Sequence, residues 1–137
     1  MTTILLVEDS AADAMLIREA LLEAGIEATV ELATDGDQAL ARLRRGPAPD
    51  LMLLDLNLPR KDGRAVLSEM NCDETMRGIP VIVLTTSSAP HDVEFAYRHC
   101  ANSYVRKPIG LDNLVETAQS IREFWLRTAT LPSAARY

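Results

Sequence analysis

Short apolar runs with little polar interruption recur along the chain at Thr3–Val7, Thr29–Leu32, Leu51–Leu54, Val81–Leu84 and Ser103–Val105. Runs this short, without alternation, suit strands covered on both faces, as in a parallel sheet. Between them the spacing turns helical. Leu16/Ile17, Ala20/Leu21 and Ala24 share one face, and Gly25 sits where that helix would end. Ser10 followed by Asp13 predicts a capping box at its start. A second helix is predicted from about Asp37 to Arg45, with Ala39, Leu40 and Leu43 inward and Gly46 as its stop. A third starts near Asp62-Gly63 and carries Val66, Leu67 and Met70, and a fourth begins at Pro90 with Val93, Ala96, Tyr97 and Cys100 as its stripe. The last starts near Leu111 and places Leu114, Ala118, Ile121 and Trp125 at helical intervals. Strand and helix alternating five times predict an α/β chain, an open, doubly wound parallel sheet with right-handed crossovers. One domain over residues 1–130 is expected, followed by an extended tail over 131–137.

Composition narrows the function classes. A length of 137 residues suits a single domain, and 47% hydrophobic with 25% charged residues is ordinary globular chemistry rather than disorder. No apolar run approaches the ~18 residues of a membrane span, and the N-terminus lacks the basic and apolar regions of a signal peptide. A cytoplasmic protein without membrane contact is the expectation. With 14 basic against 20 acidic residues, the net charge of −6 disfavours nucleic acid as a partner. Cys72 and Cys100 form no disulfide framework and no metal spacing.

Open α/β sheets place their sites outside the carboxyl ends of the strands. The residues there are Glu8 and Asp9 after the first strand, Asp55 after the third, Thr85 and Thr86 after the fourth, and Lys107 after the fifth. Three converging carboxylates repel one another unless a cation joins them. Hard oxygen ligands specify Mg²⁺ better than Zn²⁺, which prefers His or Cys. The first turn also excludes a competitor. A flavin or nucleotide phosphate needs Gly, Ser or Thr donors there, whereas Val7-Glu8-Asp9-Ser10 offers negative charge.

At this point the chain resembles the response-regulator receiver family over nearly its whole length. The matching motifs are Val7-Glu8-Asp9, Leu54-Asp55-Leu56-Asn57-Leu58-Pro59 leading to Asp62-Gly63, Val83-Leu84-Thr85, and Lys107-Pro108. The resemblance implies a flavodoxin-like (βα)5 fold with strand order 2-1-3-4-5. It implies that Asp55 accepts a phosphoryl group from a histidine kinase. Asp9, Asp55 and the backbone carbonyl of Asn57 would hold Mg²⁺, with Mn²⁺ or Ca²⁺ able to substitute, and Glu8 would assist through water or a hydrogen bond. Lys107 would neutralise phosphoryl charge, and Thr85 would donate its hydroxyl to the phosphoryl group while Tyr104 moves into the vacated space. The Lys107–Pro108 bond is expected to be cis. The segments Glu123-Phe124-Trp125-Leu126 and Thr128-Ala129-Thr130-Leu131-Pro132 resemble the tail of stand-alone regulators paired with phytochrome-type histidine kinases. Thr86 departs from the smaller residue of many receivers.

Taken singly, Glu8 or Asp9 reads as a helix cap, Asp55 as a turn acid, Lys107 as a solvated charge and Tyr104 as core. Their joint occurrence at successive strand ends carries the functional reading. His91 and His99 have no partner at metal or triad spacing and are assigned no chemistry. Phe124 and Trp125 are adjacent, so one helical face cannot bury both. Trp125 continues the inward stripe, which leaves Phe124 and Leu126 outward and predicts a homodimer through the last helix and tail. The protein is thus expected to be a phosphoacceptor rather than an enzyme, catalysing only its own phosphotransfer and dephosphorylation. Alternatives are a phosphorelay intermediate and a pseudo-receiver. A haloacid-dehalogenase-like phosphatase is disfavoured, because Asn57 stands where its general acid would be.

Overall fold

The computed structural model describes residues 2–132. Five parallel strands, β1 (Thr2–Val7), β2 (Ala28–Ala33), β3 (Leu51–Leu54), β4 (Val81–Thr85) and β5 (Ser103–Arg106), lie in the order β2-β1-β3-β4-β5. The expected order therefore holds, and sequence order reverses beside β1. Helices α1 (Ala11–Glu23), α2 (Gly36–Arg45), α3 (Gly63–Cys72) and α5 (Pro90–Arg98) match the predicted helices to within a residue or two, while α6 (Leu111–Ile121) starts as predicted but stops four residues short of Trp125. The short α4 (Glu74–Arg77) was not anticipated; Asp73 caps it by accepting from Thr75 N.

The sheet is buried on both faces because consecutive strand residues alternate between two cores. Leu5, Val7, Met52, Leu54, Val81 and Val83 face α2, α3 and α5. Ile4, Leu6, Leu51, Leu53, Ile82 and Leu84 face α1 and α6. All of these are at most 4% exposed, which is why the runs are continuous rather than alternating.

Helix entries follow side-chain caps. Asp35 accepts from Gln38 N at 2.8 Å and Asp62 from Arg64 N at 2.9 Å. The predicted capping box at α1 forms only in half. Ser10 Oγ accepts from Asp13 N at 3.2 Å, but the reciprocal bond from Ser10 N goes to Glu8 Oε2. The Asp13 carboxylate is drawn instead to the Lys107 ammonium, 3.1 Å away.

Beyond α6 the chain continues as a π-helical segment, Arg122–Thr128, closed by Ala129 N donating to Phe124 O at 2.6 Å. The wider turn corrects one expectation. Trp125 and Leu126 both pack against the α1/α6 core, while Phe124 stays 54% exposed. Within the predicted tail, Leu131 is buried; residues 133–137 lie outside the described range. None of the described helices is long and apolar enough to cross a membrane.

Candidate phosphoacceptor and metal site

Strand register brings the chemistry together. Val7 pairs with Leu54, and Leu54 with Val83, so the residues just beyond them emerge side by side at one sheet edge. Asp55 N donates to Val7 O at 3.1 Å, and Lys107 N to Thr85 O at 2.6 Å, which extends the pairing past the strand ends. Gly63 completes the floor. A Cβ there would meet the Asp55 carbonyl oxygen at 2.3 Å, so the start of α3 can press against the end of β3 only through glycine.

Asp55 is almost enclosed, at 7% exposure, and its two carboxylate oxygens have different partners. Oδ1 accepts from Thr85 Oγ1 at 2.8 Å and from Asn57 N at 3.2 Å. Oδ2 faces Lys107 Nζ at 3.3 Å. The same ammonium reaches Glu8 Oε1 at 2.5 Å and Asp13 Oδ2 at 3.1 Å. Glu8, Asp9 and Asp55 each offer a carboxylate oxygen, and these atoms lie within 4.8 Å of one another. Asp9 is exposed, so the cluster opens to solvent on its side. All-oxygen donors around a half-open cluster fit a hard divalent cation.

The electrostatics agree with this crowding. Burial, reinforced by the nearby Asp55 charge, pushes the Glu8 carboxyl above its ordinary range despite the Lys107 hydrogen bond. Burial pulls the Lys107 ammonium down, but the Glu8 hydrogen bond and the Asp55 and Glu8 charges outweigh it and hold the proton more firmly than usual. The lysine therefore stays cationic at any physiological pH.

Lys107 reaches this position with a trans Lys107–Pro108 bond, against expectation. Among the described residues the cis bond is Gly46–Pro47. The Lys107 backbone is fixed instead by its hydrogen bond to Thr85, from which the side chain spans directly to Glu8. Thr86 is exposed at the rim, and Tyr104 is half-buried with its hydroxyl on Ser87 O at 2.8 Å. His91 is exposed and His99 ends α5, its ring stacked on Phe95 at 3.9 Å. Cys72 and Cys100 are exposed free thiols.

Two parts of the site were not read from the sequence as functional. Asp13 appeared only as a cap; its carboxylate joins the site through Lys107 Nζ at 3.1 Å, a partner 94 residues away in the chain. Arg64 and Asp92 pair next to the site, joining α3 to α5. An acid in the first turn of a helix is commonplace.

A five-stranded parallel sheet of this order with Asp, Thr and Lys at its carboxyl edge defines a class. The response regulator receiver domain family matches residues 4–119, and the chain belongs to it. Members of this family are signalling proteins. Over 137 aligned residues the chain is 44% identical to response regulator Rcp1 of Synechocystis sp., covering 96% of this chain and 93% of the relative. The crystal structure of the phosphorylated cyanobacterial phytochrome response regulator RcpA superposes with TM-score 0.90 at 45% identity, covering 96% of this chain and 98% of that one. The Mn²⁺-bound form of Rcp1 gives TM-score 0.88 at 43% identity, covering 96% and 99%.

Proposed function

We propose that this chain is a response regulator that accepts a phosphoryl group on Asp55 from a phytochrome-type sensor histidine kinase, in an Mg²⁺-dependent reaction. The observation that carries the reading is the division of labour at Asp55, with Lys107 beside one oxygen and Thr85 on the other. A carboxylate oxygen of Asp55 attacks phosphorus, the new P–O bond forms as the P–N bond to the kinase histidine breaks, and the imidazole leaves. Lys107 faces the charge that develops on the phosphoryl oxygens. Thr85 exchanges its Asp55 contact for a phosphoryl oxygen, which locks its loop inward and with it the inner position of Tyr104, whose hydroxyl already meets Ser87 O.

Asp9, Asp55 and the Asn57 carbonyl would hold Mg²⁺, with Glu8 behind them, and Mn²⁺ or Ca²⁺ can take its place. The bound ion supplies charge neutralisation for in-line transfer. The kinase assignment rests on the likeness to Rcp1 and RcpA. The phosphorylated chain acts by presenting an altered surface to a partner in the cytoplasm, and a homodimer forms through α6, Phe124, Trp125 and Leu126. The exposed Phe124 borders a groove lined by Val105, Thr117, Ser120 and Ile121, beside the edge strand β5, which supports that surface.

Intact mass after incubation with Mg²⁺ and acetyl phosphate tests the chemistry. One added phosphoryl group, absent in Asp55→Asn and in chelated samples, is the expected result. No gain in mass either from acetyl phosphate or from a phosphorylated phytochrome-type kinase would overturn it.

A further inference from the structure

A second polar network ties α3 to the loop that follows β4. Arg64, in the first turn of α3, donates from Nε to Asp92 Oδ1 at 2.7 Å and from Nη2 to Asp92 Oδ2 at 2.8 Å. Its Nη1 is held by both oxygens of Asp62, at 3.1 and 3.0 Å. Asp92, 3% exposed, also accepts from Ser87 Oγ at 2.6 Å. Ser87 in turn offers its carbonyl to the Tyr104 hydroxyl. One chain of contacts therefore runs from α3 through α5 and the loop to β5.

Three features make this network more than an ion pair. A two-pronged guanidinium–carboxylate contact fixes direction as well as distance. Arg64 directly follows Gly63, whose N–H bonds Leu56 O at 2.9 Å and whose missing side chain lets α3 abut the Asp55 carbonyl. The fork is thus referenced to the backbone of the acceptor strand. Finally, Ser87 lies two residues beyond Thr85, and the Thr85 hydroxyl meets the Asp55 carboxylate itself. The loop and Tyr104 are held inward by contacts within the chain.

We propose that the Arg64–Asp92 pair is a positioning device that biases the switch, holding Ser87 so that Thr85 and Tyr104 occupy the inward, phosphoryl-binding arrangement before Asp55 is loaded. This rests on the reading of Asp55 as phosphoacceptor. A ligand that binds only the inward arrangement sees its apparent affinity reduced by the fraction of molecules outside it. Breaking the pair therefore weakens binding of a phosphoryl mimic without touching a metal ligand.

The test uses the full chain labelled with 3-fluorotyrosine, the Tyr104 ¹⁹F resonance being assigned through Tyr104→Phe. Beryllofluoride is titrated in saturating Mg²⁺ into wild type, Asp92→Asn, Arg64→Gln and the double variant. Mg²⁺ affinity alone is measured in parallel. Each single variant is expected to bind beryllofluoride about tenfold more weakly at unchanged Mg²⁺ affinity. Their ligand-free Tyr104 resonance should move toward the solvent-exposed position, and the double variant should be no worse than the singles. Equal beryllofluoride affinity in wild type and variants overturns the bias while leaving the phosphoacceptor reading intact. A matching loss of Mg²⁺ affinity assigns the pair to general folding and also overturns it. Failure of the wild type to bind beryllofluoride at all removes the phosphoacceptor reading, and the bias with it.

Discussion

The Lys107 ammonium stands 2.5 Å from Glu8 Oε1, with the two side chains only 8% and 2% exposed. Neither charge has water to fall back on, so each is tolerated in the interior because of the other. Asp13 and Asp55 complete the ring of anions around the lysine, whose single charge leaves the cluster net negative. The same imbalance that suits the edge to a divalent cation makes it depend on Lys107 when the cation is removed.

Lys107→Met in metal-free buffer should therefore be strongly destabilising. Removing one member of a buried pair leaves an uncompensated charge and costs about 3–5 kcal/mol. Urea denaturation measures it, and Glu8→Gln in the same chain should recover a large part of the loss, since the two residues are in direct contact. Additive losses in the double variant would show that the pair is not the source.

Gly63 sets a second dependence. A Cβ there would sit 2.3 Å from Asp55 O and 2.6 Å from Leu56 Cα, both backbone atoms that cannot swing aside. Gly63→Ala should shift the acceptor strand end, destabilise the protein by about 1–3 kcal/mol, and slow loading from acetyl phosphate. Gly78→Ala is the control. Nothing lies within 4 Å of that Cβ and its φ is −84°, so stability and loading should be unchanged.

The sequence carried the sheet well because burial on both faces leaves an unmistakable mark, as in Ile4–Val7 and Leu51–Leu54. Strand ends then located Glu8, Asp9, Asp55, Thr85 and Lys107 without coordinates. What escaped was set by geometry rather than by residue type. The π-helical turn after Ile121 moved Leu126 inward, and nothing in Arg122–Thr128 announces a change of helical period. Asp13 and Asp92 each occupy a first helical turn, where an acid is favourable for the helix itself and its distant partner stays hidden. Arg64 finds Asp92 across 28 residues of chain, a pairing that depends on how α3 and α5 pack on the sheet.

That pair makes acid stability informative. The Arg64 guanidinium, helped by the Ser87 hydroxyl, holds the Asp92 carboxyl down at about 2, from an ordinary 3.8. A carboxyl with a lower pKa folded than unfolded stabilises fully above its unfolded value, and the contribution disappears as pH falls through the folded one. The stability of wild type should fall more steeply than that of Asp92→Asn between about pH 4 and about pH 2, with the gap between them closing at the acid end. Urea midpoints across that range check the sign. A gap independent of pH would mean that Asp92 contributes no titrating charge to stability.

Phe124 allows the proposed dimer to be separated from the monomer fold. Its ring is 54% exposed and meets Trp125 edge-on at 5.3 Å, so truncation removes one aromatic contact and little core. Phe124→Ala should cost the monomer only about 1 kcal/mol. An exposed aromatic at the centre of an interface is worth more, typically 2 kcal/mol or above, and a loss of that size weakens association roughly thirtyfold. Sedimentation velocity over a concentration series should show wild type moving from monomer to dimer while Phe124→Ala remains monomeric. The groove beside Phe124, about 370 Å³ and bounded by Val105, Thr117, Ser120 and Ile121, supplies the neighbouring contacts. Ser120→Arg would fill that groove with charge at no cost to the buried face of α6, and it should block association as completely as the loss of Phe124. A wild-type chain that sediments as a monomer throughout would refute this surface directly, as would dimers in both variants.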